Sequence, residues 1–328
     1  MKIIAVPALG LSLYMLSGCS GGSSGGLDTS PEAAEINAGN ALIVATTTLS
    51  ALASARDIGA IEDLLGGLAN PTARPRPADG SPTSAPLIAP LGTTANDPCR
   101  TGHVSGTVAP GDPDFLQREN RLVPGDRFSL NLADCGLPGE LRVSGRLDVR
   151  VERFVGTLDN RNVEYLYAST LHDLRIDTAT ASHVATGDMQ MFFGSTSFPM
   201  VFAALAGQRL AIAADGKSTT LRDYDLASQG VLVQQPEVFG SVDTLFDGHL
   251  SSSAFAGEVR FQTQVPFRTN GRKLDKPSRG QVLVFGAGGA VLRLTVAGKT
   301  VQLELDADGN GGYEHHERAS WASLTGSG

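Results

Sequence analysis

The sequence predicts a mainly β fold: a long antiparallel meander, curled into an open barrel or folded into a sandwich, preceded by one N-terminal helix. Three observations predict it. Beyond Cys99, apolar and polar residues alternate with a period of two, most clearly in LRVSGRLDVRVE. There Leu141, Val143, Leu147, Val149 and Val151 share one face, and Arg142, Ser144, Arg146, Asp148, Arg150 and Glu152 share the other. One face of such a strand is buried and one is wet, which antiparallel sheets allow and parallel sheets seldom do. Composition agrees, since 39 glycines and only 18% charged residues suit a turn-rich β protein. Turn chemistry falls between the alternating runs, at Asp215-Gly216, at Asn270-Gly271 and in FGAGGA.

The N-terminus carries an address. Met1 and Lys2 precede IIAVPALGLSLYML, a run too short to span a bilayer comfortably but suited to the hydrophobic region of a secretory signal. It leads into Leu16-Ser17-Gly18-Cys19. This segment resembles the lipobox signal of bacterial lipoproteins, in which a leucine and small residues before a cysteine direct cleavage. The resemblance implies that the Cys19 thiol receives a diacylglyceryl group and its freed amine a further acyl chain. Each buried methylene contributes about 0.8 kcal/mol, so several chains hold a domain at a membrane where one would not. Ser20 after the cysteine implies export to the outer membrane, on the periplasmic face or the cell surface.

With Cys19 assigned to lipid, Cys99 and Cys135 remain as an even pair in a compartment that permits disulfides. A bridge between them is the expectation, and two buried free thiols are the alternative.

The segments then follow in order: signal peptide 1–18, lipidated cysteine and flexible Gly/Ser tether 19–29, helical segment 30–69, Pro-rich linker 70–98 and antiparallel β domain 99–328. Ser30 can cap the helix and Pro31 fits its first position. Leu42, Thr46, Leu49 and Ala53 fall at helical spacing beside Ile43 and Ala45, until Gly59 weakens the pattern. The linker holds seven of the 17 prolines, which fix φ and remove donors, so an extended connector is expected there. The β domain should contain about ten or more strands.

A looser resemblance covers much of 99–328. GDRFSLNLADCGLPGELRVSGRLDV and, later, GQVLVFGAGGAVLRLTV with LELDADGNGGYE resemble segments of uncharacterised β-rich envelope lipoproteins of Gram-negative bacteria. That resemblance implies a secreted β domain and no particular activity.

One candidate ion site stands out. In DADGNGGYEHHE, Asp306, Asp308, Asn310, Gly311 and Glu317 match the spacing of a calcium-binding EF-hand loop, and Glu314 is a further candidate ligand. Alternate oxygen-bearing residues converge on a hard cation as the backbone wraps it, so Ca2+ is the cofactor this set would take. The preceding KTVQLEL alternates like a strand, which disfavours helix-loop-helix geometry. Two readings stay open: a calcium loop between strands, and an ordinary hairpin that needs the same residues for positive φ and capping.

Other chemistry is thin. FGAGGAV has Val291 where a dinucleotide fingerprint needs its third glycine. A net charge of −8 argues against nucleic acid as a partner. Asp223 and Asp225 could share a strand face, and no histidine is tied by spacing to a nucleophile. The expected role is therefore a membrane-anchored structural or binding module of the cell envelope rather than an enzyme. One alternative is a carrier that holds an apolar ligand inside a curled sheet, near Phe192, Phe193, Phe198 and Phe202. The other is an envelope hydrolase with an unrecognised site.

Overall fold

The computed structural model describes residues 31–59, 86–87, 99–109, 111, 121–137, 141–156, 163–178, 181–197, 200–214, 216–233, 238–270 and 277–325. The expected signal, Cys19 and its tether lie outside these residues, as does most of the Pro-rich segment. The described chain is an open antiparallel meander in which every strand pairs with its neighbours in sequence. The strands are β1 (Pro86–Leu87), β2 (His103–Ala109), β3 (Arg127–Leu137), β4 (Leu141–Val155), β5 (Glu164–Asp177), β6 (Ser182–Ser197) and β7 (Met200–Ala214). They continue as β8 (Lys217–Val233), β9 (Val238–Ser252), β10 (Phe255–Asn270), β11 (Arg279–Phe285), β12 (Val291–Ala297), β13 (Thr300–Asp306) and β14 (His315–Ser320). Helix α1 (Ala41–Gly59) precedes them all, and a short α2 (Trp321–Thr325) closes the described chain.

The alternation read from the sequence sets the two faces. In β4, Leu141, Val143, Leu147, Val149 and Val151 are all buried, and the intervening Arg142, Arg146 and Arg150 are exposed. The inward side chains form one continuous core with α1 and α2. Helix α1 touches β6 to β10, β12 and β13, so the sheet wraps its inner face around the helix. Ala41, Val44, Ala45, Leu49, Leu52, Ala55 and Ile58 of α1 are all buried. A helix apolar on most of its circumference is stable only when enclosed in this way.

A seam of bulges curls the sheet. Asp134 on β3, Asp173 on β5 and Asp223 on β8 have φ of 50°, 48° and 46°, and the strand register slips beside each of them. Aspartate tolerates the left-handed region because its short polar side chain bonds locally. The Asp134 N–H donates to the Ser144 hydroxyl at 3.1 Å, and the Thr186 hydroxyl donates to the Asp173 carboxylate at 2.9 Å. On the adjoining strands β4, β6 and β9, Gly145, Gly187 and Gly248 take φ of 119°, 144° and 149°. Bulges raise local twist and bend the strand, and aligned across neighbouring strands they curl the open sheet toward its helix.

Three sequence expectations change. The helix begins at Ala41 rather than after Ser30, because residues 32–36 are already committed elsewhere. The Ala34 N–H donates to the Glu258 carbonyl at 2.8 Å, the Glu258 N–H to the Glu32 carbonyl at 2.9 Å and the Ala287 N–H to the Ala34 carbonyl at 2.7 Å. Asn40 starts the helix instead, accepting from the Val44 N–H on its carbonyl while its side chain reaches back to the Glu35 carbonyl. Leu42 and Ile43, expected on the packed stripe, are 40% and 46% exposed. Within the Pro-rich segment, Pro86 and Leu87 pair with Thr107 and Gly106, so part of the expected connector is a sheet edge.

Cys99 and Cys135 are both buried and stand at disulfide distance, 2.00 Å between sulfurs, which fastens the chain before β2 to the end of β3.

Candidate functional site

The loop between β13 and β14 brings Asp306, Asp308 and Glu314 together, with one carboxylate oxygen of each lying within 4.8 Å of the others. The hairpin itself does this, since Leu305 pairs with His315 and the nine residues between return the chain. Glu317 lies outside the group: it sits on β14 opposite Leu303, with His315 3.8 Å away. The EF-hand spacing therefore does not become EF-hand geometry, because its last ligand is fixed in a strand.

The oxygens that would meet a cation already accept hydrogen bonds. Asp306 accepts from the N–H groups of Asn310 and Gly311 at 3.1 and 2.8 Å. Asp308 accepts from the Asn310 N–H at 3.2 Å and the Asn310 side-chain amide at 2.8 Å. The Asn310 side-chain oxygen accepts from the Gly312 N–H at 2.7 Å, and Glu314 from the Ala307 N–H at 3.2 Å. Asp306, Asp308, Asn310 and Glu314 each cap the turn, and Gly309 and Gly311, at φ of 71° and 90°, supply its left-handed positions. The hairpin reading thus accounts for every one of these side chains.

The hydrolase alternative finds two arrangements to examine. On the outer face, the Asp148 carboxylate accepts from the Ser129 hydroxyl at 2.5 Å and meets His172 Nε2 at 2.9 Å. The order is wrong for nucleophilic catalysis, which needs the imidazole between hydroxyl and carboxylate. Inside the sheet, the Ser54 hydroxyl on α1 and His183 Nδ1 on β6 are 3.4 Å apart, and both residues are 7% exposed. That contact joins helix to sheet in the core, where a substrate would first have to displace packed side chains. Asp223 and Asp225 do not act as a pair, because Asp223 sits in the bulge and Asp225 faces Asp247 across β9.

The phenylalanines expected to line a carrier's interior divide between faces. Phe193 points inward, its ring 5.2 Å from that of Tyr165, which in turn stacks on Tyr167 at 4.6 Å. Phe192 and Phe202 point outward, as alternation on a strand requires, and Phe198 lies outside the described residues. The inner face they were expected to open is occupied at β6 to β10, β12 and β13 by α1. The glycines of FGAGGA form the tip between β11 and β12, a single 3-10 turn at Ala287–Gly289 with Gly288 and Gly289 at φ of 68° and 86°, rather than the start of an α-helix that a phosphate could cap.

One feature of the surface escaped the sequence. Leu166, Phe192, Ala204, Ala227 and Leu245 are consecutive cross-strand partners from β5 to β9. Direct partners share a face, so these five form an apolar row across the outside of the sheet. Leu245 is 45% exposed and Phe202, on the next row, 38%. The row is visible only once registers are known, because no two of its members are near in sequence. No protein-family model, curated protein or solved structure matches the chain.

Proposed function

We propose that the chain is an outer-membrane lipoprotein, anchored by acyl chains on Cys19, that serves as a structural or binding module of the cell envelope rather than as an enzyme. The observation that carries the reading is the ordered signal at the N-terminus: Lys2, a short apolar run, then Leu16-Ser17-Gly18-Cys19. The buried Cys99–Cys135 pair at bonding distance supports it, since such pairs persist in oxidising compartments. The helix enclosed by the sheet favours action through the outer surface over carriage of an apolar ligand inside.

Intact-mass measurement of the protein recovered from a Gram-negative membrane tests the anchor. The expected product begins at Cys19 and carries the added mass of two or three acyl chains. Cys19→Ser should remain unprocessed and unacylated. Wild-type protein retaining residues 1–18 and a free Cys19 thiol overturns the proposal.

A further inference from the structure

We propose that the β13–β14 loop modifies itself: its own groups promote attack of the Gly311 backbone nitrogen on the Asn310 side chain, which loses ammonia and becomes aspartate or isoaspartate. The reaction involves only this loop and water, with or without the lipid anchor.

The chemistry balances without any further reactant. The Gly311 nitrogen bonds to Asn310 Cγ and closes a five-membered succinimide ring. The Gly311 proton is lost, the Cγ–Nδ2 bond breaks, and Nδ2 leaves as ammonia. Water then opens one or other carbonyl of the ring. One route gives aspartate, and the other gives isoaspartate, in which the backbone runs through the former side chain. The net change is one water taken up and one ammonia released.

Three obstacles slow this closure in an ordinary chain. A peptide nitrogen is a poor nucleophile while it keeps its proton, Oδ1 must take on negative charge, and a side chain on the following residue crowds the ring. The loop meets each of them. The Asp306 carboxylate accepts the Gly311 N–H at 2.8 Å, so a general base already touches the proton that must leave. Asp306 is held in that place, being 4% exposed and paired with Val291 at the end of β13. This hydrogen bond lies in the peptide plane, whereas attack uses the nitrogen orbital perpendicular to it, so the carboxylate activates the nitrogen without blocking it. The Gly312 N–H donates to Asn310 Oδ1 at 2.7 Å, where the negative charge develops. The Asp308 carboxylate accepts from Asn310 Nδ2 at 2.8 Å, which fixes the two ends of the amide and keeps Oδ1 on the Gly312 donor. Residue 311 has no β-carbon, and nothing stands within 4 Å of where one would lie, so the ring has room to form. Asn310 and Gly311 are exposed, so water reaches the ring and ammonia escapes. The proton taken by Asp306 returns through that water to the departing Nδ2.

Peptide mass spectrometry of the full chain, incubated at neutral pH, reads the conversion as an amide replaced by an acid, and labelling by an isoaspartyl methyltransferase counts the isoaspartate. In guanidinium chloride the loop geometry is gone, and Asn310 should convert at the same rate as Asn270, which stands in the chain's other Asn-Gly pair. In the folded chain Asn310 should convert about tenfold faster or more than in denaturant. The folded rate should depend only weakly on pH around neutrality, where closure driven by hydroxide rises in proportion to hydroxide. Asp306→Asn keeps the size and one acceptor oxygen but removes the base, and should bring the folded rate down to the denatured one. A wild-type folded rate equal to or below the denatured rate means that the hydrogen bonds clamp Asn310, and overturns the proposal. So does an Asp306→Asn chain that folds and still converts at the wild-type rate. If Asp306→Asn fails to fold, the ratio of folded to denatured rates in the wild-type chain decides.

Discussion

A β-carbon on Gly145 of β4 would stand 2.7 Å from the carbonyl oxygen of Asp173 on β5, closer than real β-carbons come to any atom. The two residues are one joint of the bulge seam: Asp173 supplies the extra residue in the left-handed region, and Gly145, at φ 119°, lets its backbone approach. Gly145→Ala should therefore strain the backbone and force the strands apart, destabilising the fold by about 3 kcal/mol. Chemical denaturation followed by far-UV circular dichroism measures this. An unchanged midpoint would mean that the seam does not shape the sheet. By contrast Gly216, also at positive φ but with nothing within 4 Å of its added β-carbon, should lose only the smaller backbone-strain contribution.

The strands were legible because one physical constraint, a wet face and a dry face, writes a period of two into Leu141 through Glu152. The curl was not. Its determinants are single residues far apart in sequence, Asp134, Asp173 and Asp223 with Gly145, Gly187 and Gly248, whose meaning appears only when adjacent strands are aligned. The helix start was misplaced for a related reason. Ser30-Pro31 is good local helix-start chemistry, but backbone groups of residues 32–34 are taken by β10, more than 200 positions later. The candidate ion-site spacing does gather the oxygens of Asp306, Asp308 and Glu314 around a turn. Which partner those oxygens hold depended on the direction of backbone N–H groups, which spacing does not encode.

Arg222 and Glu258 hold the docked N-terminal segment to the sheet. The Glu258 side chain is 8% exposed and accepts from Arg222 Nε at 3.1 Å and Nη2 at 2.6 Å. Its backbone makes the bonds that fix Glu32 and Ala34. Arg222→Met leaves a buried carboxylate without its guanidinium and should cost about 3 kcal/mol. Adding Glu258→Met should recover most of that loss. If the double variant is as unstable as the single one, the effect comes from packing rather than charge.

Two aspartates on β8 and β9 should give opposite pH dependences. The hydrogen bond from Arg268 holds the Asp243 carboxyl below its ordinary range; desolvation opposes this, and the charges of Arg268 and Arg279 add to it. Its stabilisation is therefore present above the unfolded value, near pH 4, and lost as pH falls through the lower folded value. Desolvation, followed by the charge of Asp247, holds Asp225 above its ordinary range, so its contribution is present below the unfolded value and lost as pH rises through the folded one. Asp243→Asn should lower the melting temperature at neutral pH and matter less in acid. Asp225→Asn should raise it at neutral pH, with the gain fading as pH falls. Parallel melting curves across this range check both, and like-signed slopes would contradict the assignment.

The β13–β14 loop gives the sharpest separation between its two readings. Asp306 is 4% exposed and accepts two backbone N–H groups, so it holds the turn without any ion. Asp306→Ala should leave the Gly311 donor without its acceptor and Asn310 with Asp308 alone, destabilising the hairpin by about 2 kcal/mol. That loss should be the same in chelator and in millimolar calcium, because the carboxylates already have partners and Glu317 sits on β14 outside their group. Calcium should accordingly leave the wild-type melting temperature unchanged. A rise in that temperature on adding calcium, abolished by Asp306→Ala, would mean that the N–H groups yield the carboxylates to a cation. The loop would then be a metal site that forms by rearranging its own caps.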